Sequence, residues 1–181
     1  MKPNHDLPVA GNPDDIHQVP ATPASEEDLS GLADFDFMVG SWQVRHRRTD
    51  PGKDAWAEFN GTSCTRAIMG GAGNVEDNVI ELPSGTYRAT AVRAYDRTTG
   101  LWAIWWVDGR NPHGRLDPPV KGCFDDGIGR FYCDDSIDGN PIRVRFTWTY
   151  GAPDHAHWEQ AYSSDAGETW QTNWLMDFRR D

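Results

Sequence analysis

The chain has 181 residues, the size of one domain built around one core. Its 28 acidic against 17 basic residues give a formal net charge of -11, which repels phosphate backbones and anionic headgroups and argues against nucleic-acid and membrane partners. No apolar run reaches the length of a membrane-spanning helix and the first residues lack the apolar stretch of a secretory signal, so the expected location is the cytoplasm.

Residues 1–24 carry Pro3, Pro8, Pro13, Pro20 and Pro23 among polar residues with no periodic apolar face, and read as a flexible arm. Ser25 followed by Glu26, Glu27 and Asp28 has the form of a helix start, leading into Leu29, Leu32 and Phe35 at helical spacing, so one short helix is expected. From Phe37 onward, turn clusters such as Pro83-Ser84-Gly85, Asp126-Gly127 and Asp138-Gly139-Asn140 recur along the chain. Between them lie ten runs of strand composition, at about 38–48, 55–66, 73–82, 86–96, 101–108, 119–124, 129–135, 141–150, 155–163 and 169–179. Ten strands in series with almost no helix predict an all-β fold: a single antiparallel up-and-down barrel over residues 25–181, with a sandwich as the alternative. The 9 Trp and 18 Gly suit such a barrel closing around a cavity. Asp108 to Pro119 is the longest irregular connection after the arm and belongs at one rim, where it either serves as a lid or is a proline-stiffened surface loop.

Gly40-Ser41-Trp42 opens the first strand, while Arg179-Arg180 closes the last one beside Phe178. This resembles the lipocalin and wider calycin pattern, in which a G-x-W tryptophan plugs one barrel end and a basic side chain from the final strand stacks over it. With Asp36 to Trp42, Arg93 to Asp96, Thr99 to Trp102, Gly122 to Gly127 and Trp170 to Arg179, the chain from about Asp34 to Arg180 is similar to an uncharacterised bacterial family of lipocalin-like domains of unknown function. The resemblance implies the fold and carries no chemistry to transfer.

Ser163-Ser164-Asp165-Ala166-Gly167-Glu168-Thr169-Trp170 fits an Asp-box, a hairpin-turn unit and not an active site; its single copy is far from the repeat of a propeller. His155, His157 and Glu159 share one face of a predicted strand and have metal-binding chemistry, but they follow a turn and read as solvated, so no metal is expected. Haem is disfavoured because Gln43 to His46 replace the extended glycine pattern of the haem-binding calycins. No phosphate loop, dinucleotide fingerprint or nucleophile elbow is present, and no cofactor is expected. Cys64, Cys123 and Cys133 lack metal or disulfide spacing and read as buried thiols; Asp125-Asp126 and Asp134-Asp135 read as solvated turn acids.

An inward Trp42 sends Val44 and His46 inward as well. Glu76 and Asn78 share a strand face, as do Arg93 and Tyr95, and Trp102, Ile104 and Trp106. An inward Arg93 is either ion-paired, with Glu76 as the partner, or awaits an anionic group of a ligand. The expected function is binding of a small, largely apolar or aromatic molecule with an anionic or carbonyl end, held by Arg93, Tyr95, Glu76, Asn78, Trp106, Gln160 and Trp174. The alternative is a cofactor-independent isomerase, cyclase or lyase, with His113 or His46 moving a proton and Arg93 stabilising an oxyanion. A third reading is an interior packed solid with tryptophan. A homodimer is compatible with the outward aromatic residues.

Overall fold

Side chains that alternate between apolar and polar along a segment make a strand with one dry face, and ten such segments in series leave two free edges unless the first meets the last. In the computed structural model, which describes residues 27–49 and 55–180, they do meet. The strands are β1 (Gly40–Arg48), β2 (Ala57–Ile68), β3 (Gly73–Leu82), β4 (Gly85–Asp96), β5 (Leu101–Asp108), β6 (Val120–Asp125), β7 (Ile128–Ile137), β8 (Asn140–Ala152), β9 (His155–Ser163) and β10 (Gln171–Arg179). Each pairs antiparallel with its neighbours in sequence, and β1 pairs with β10 from Gln43 opposite Arg179 to Arg48 opposite Trp174, closing the barrel. The expected runs match these strands to within a few residues at each end.

The expected short helix is not seen among the described residues. Of its described part, Glu27 to Leu29 is irregular and Ser30 to Phe35 is a series of turns that ends in a single 3-10 turn at Asp36–Met38, and residues 1–24 with Ser25 and Glu26 lie outside the described residues. The physical reason is competition for the backbone. Asp28 accepts hydrogen bonds from both the backbone N–H and the hydroxyl of Ser30, at 2.9 and 2.7 Å. The N–H of Gly31 is then taken by the Tyr95 hydroxyl at 3.2 Å and its carbonyl by the Trp102 indole at 2.9 Å, so barrel side chains replace the helical ladder.

One end of the barrel is sealed. Phe35 and Met38 from the turn segment pack with Trp42, Trp102, Trp148 and Phe178, all buried. The Trp42 indole donates to the Met38 carbonyl at 2.9 Å, and the Arg180 guanidinium lies 4.1 Å over the Trp42 ring while donating to the carbonyls of Phe37 and Val39 at 2.6 and 2.8 Å. Gly40, at φ +115°, makes room for it: a Cβ there would sit 2.6 Å from an Arg180 nitrogen. At the other end lie the β3–β4 and β7–β8 hairpins, the connection from β5 to β6 and the β9–β10 turn. In that last turn Asp165 accepts from the Thr169 N–H at 2.9 Å and hydroxyl at 2.5 Å, and the Trp170 indole donates to the Gly167 carbonyl at 3.0 Å.

Candidate functional site

The interior is open on one side of the plug. A cavity of about 260 Å³ begins at Arg93, Glu76 and Trp148, near the sealed end, and runs to Asp117, Asp135 and Ile137 at the opposite rim. A void of that size exceeds the ~150 Å³ that holds a benzene molecule in a dry protein core, so the interior is not filled solid by indole rings. Its walls come from the inward rows of successive strands: Ile104 and Trp106 of β5, Val144, Phe146 and Trp148 of β8, Trp158, Gln160 and Tyr162 of β9, and Trp174 and Met176 of β10. Trp106 meets Trp174 edge-on at 6.0 Å, and Trp174 meets Trp158 edge-on at 5.6 Å, so three indoles present faces and edges to the same space.

The floor is polar. Arg93 is 2% exposed, donates from Nη1 to Asn74 at 2.9 Å and from Nη2 to a Glu76 carboxylate oxygen, and stacks 5.0 Å from Phe35 and 5.2 Å from Trp148. The second Glu76 oxygen accepts from the Ser63 hydroxyl at 2.5 Å. Arg93 and Glu76 thus form a buried, hydrogen-bonded ion pair, and the guanidinium charge is met from within. Two residues of this floor each hold a buried donor with no hydrogen-bond partner: Arg93 Nε and Trp148 Nε1.

Of the residues expected to bind a ligand, the fold brings Arg93, Glu76, Trp106, Gln160 and Trp174 to the cavity wall. Gln160 donates to the Tyr162 hydroxyl at 2.6 Å and to Asn173 at 3.2 Å, the latter brought inward by a break in the β9–β10 register between Thr172 and Trp174. Two others sit elsewhere. Tyr95 belongs to the sealed end, its ring 5.3 Å from Trp102 and its hydroxyl engaged by Gly31. Asn78 is buried on β3 opposite Ser63 without lining the cavity.

Neither histidine singled out for proton transfer lines the cavity. His113 is exposed on the connection after β5. His46 is buried behind Trp174, stacked 4.9 Å from Phe59, and its Nδ1 accepts the Trp174 indole N–H at 3.2 Å. Burial, with the nearby Arg48 charge as a smaller cause, pushes its pKa down to about 4. It is therefore neutral at physiological pH and holds the Trp174 ring, which also carries the Arg48 guanidinium at 4.5 Å on its face.

Alternation in β7 places Phe131, Cys133 and Asp135 on one row, and that row identifies Asp135 as a cavity residue and not a solvated turn acid. The row Val144-Phe146-Trp148 carries the same signal for Trp148. The cysteines differ from the buried thiols expected: Cys64 and Cys123 are exposed on outward rows, and only Cys133 is half-buried. His157 and His155 lie on the outside beside Asp177, at 2.8 and 3.9 Å, and no cluster able to hold a metal exists among the described residues.

No family model and no curated protein sequence matches the chain. Among solved structures it is similar to Rv2717c from M. tuberculosis, with a TM-score of 0.58 over 86% of this chain and 99% of that one, at 10% identity. The likeness extends to the barrel fold alone. No helix among the described residues is long and apolar enough to cross a membrane.

Proposed function

We propose that the protein binds a small, largely apolar aromatic molecule inside the barrel, with a neutral hydrogen-bond acceptor such as a carbonyl at its inner end. One observation carries this: an aromatic cavity lined at its floor by Arg93 and Trp148, each of which holds a buried N–H donor, Arg93 Nε and Trp148 Nε1, with no partner in the protein. A buried donor left unmet costs about 1 to 3 kcal/mol, which a ligand acceptor recovers on binding. Because Glu76 already meets the Arg93 charge, a carbonyl suits the floor better than the anionic end that the sequence also allowed. The plug of Trp42 under Arg180, with Gly40 beside it, supports reading the barrel as calycin-type, a class that holds small ligands in this manner.

The test is titration with acetophenone and with ethylbenzene, a carbonyl-free probe of similar shape, followed by tryptophan fluorescence. Saturable quenching by acetophenone is expected. Trp148→Phe, which keeps a ring and removes the N–H, should weaken acetophenone about fivefold or more and leave ethylbenzene unchanged. No saturable binding of either compound, or equal effects of the substitution on both, overturns the proposal.

A further inference from the structure

The mouth of the cavity carries the opposite electrical character from its floor. Asp135 lies on the inward row of β7, and Asp117 lines the same opening from the connection between β5 and β6. Neither carboxylate has an ion-pair partner among the described residues, whereas the neighbouring Asp134 faces Arg143 at 3.9 Å. Asp117 is exposed at the rim and Arg115 offsets part of its charge, yet partial desolvation and the facing Asp135 still raise its pKa above the ordinary carboxylate value. The same negative field reaches Cys133 on the wall: burial first, then Asp135, Asp134 and Asp117, push its thiol up to about 11. The cavity lining as a whole holds three carboxylates, Glu76, Asp117 and Asp135, against one guanidinium.

Between mouth and floor stand Trp106, Trp158 and Trp174, whose π-systems favour a cation near their faces, as the Arg48 guanidinium already on one face of Trp174 shows. An anionic aromatic acid entering this space would pass the carboxylates of Asp135 and Asp117, the latter only partly offset by Arg115, to reach a floor whose one positive charge is already paired. A protonated amine would bring to the mouth the charge that Asp117 and Asp135 lack.

We propose that the ligand is an aromatic amine in its ammonium form, bound with its ring among the three indoles, its acceptor at Arg93 and Trp148, and its ammonium group between Asp117 and Asp135. This rests on the ligand-binding function proposed above and specifies the ligand's charge.

The experiment uses three probes built on one ring: 4-acetylbenzylamine, 4-acetylbenzyl alcohol and 4-acetylbenzoate, each titrated by calorimetry at pH 7 into the full chain and into Asp117→Asn/Asp135→Asn. The amine is expected to bind about tenfold or more tighter than the alcohol, with the benzoate weakest, and added salt should weaken the amine alone. In the double variant the amine should fall to the level of the alcohol, while unchanged alcohol affinity reports an intact cavity. An alcohol that binds as tightly as the amine, or an amine advantage that survives both substitutions, overturns the assignment of charge and leaves aromatic binding standing. Failure of all three probes to bind removes both.

Discussion

His46 shows how much a single buried side chain can reveal about its surroundings. A histidine pushed down to about 4 refuses a proton that the unfolded chain accepts near 6.5. The unfolded state therefore binds more protons between those values, so the stability is fully present above pH 6.5 and declines as pH falls toward 4, by about 3 kcal/mol at the limit. Urea midpoints at pH 7.5 and 4.5 should show this decline, and His46→Phe should make it shallower; an unchanged slope contradicts the assignment. Arg93 and Glu76 make a second case. Glu76→Gln leaves a guanidinium buried without its counter-ion and should cost about 3 to 5 kcal/mol in urea denaturation, while adding Arg93→Met should restore much of the loss. Equal destabilisation in the single and double variants would show that the pair's charge is not what matters there. Both residues were visible in the sequence as inward-facing groups because period-2 alternation assigns a face. Alternation assigns no depth, which is why Tyr95, two residues from Arg93 on the same face, was grouped with the site when it belongs to the plug.

At the scale of elements, turns were read most securely, since their residues interact with close neighbours in sequence. The Asp-box behaves as a hairpin fastener: Asp165 is held far below the usual carboxylate range by hydrogen bonds from Thr169 and Ser163. Asp165→Ala should leave the barrel folded and speed hydrogen exchange at the Thr169 amide, with amides in the centres of β9 and β10 unaffected; unchanged protection at Thr169 would show that the backbone alone holds the turn. The helix expected after Ser25 failed for the converse reason. Its spacing was local, but Tyr95 and Trp102, more than sixty residues away, take both backbone groups of Gly31. Asp135 was missed for a different reason: beside Asp134 and near the Asp138-Gly139 hairpin it reads as a turn acid, although the alternation Phe131, Cys133, Asp135 along β7 puts it on the inward row.

For the whole molecule, the strand count and antiparallel order followed from the spacing of turn clusters, and the G-x-W plug with its terminal arginine pointed to a closed end. Whether the remaining interior was empty could not be read from composition, because nine tryptophans can fill a barrel or line one. The volume is decided by how the rings lean: Trp42, Trp102 and Trp148 gather at the sealed end, while Trp106, Trp158 and Trp174 stand edge-on around a void. The indole N–H groups provide a direct probe of that division. Nitrogen-edited NMR during titration with acetophenone should shift the Trp148 signal furthest, as its N–H gains an acceptor, with Trp106, Trp158 and Trp174 responding to the ligand ring. Trp42 and Trp102, already bonded to the carbonyls of Met38 and Gly31, should stay in place. Movement confined to the exposed Trp56, or no movement at any indole, would contradict a ligand held on the Arg93 floor.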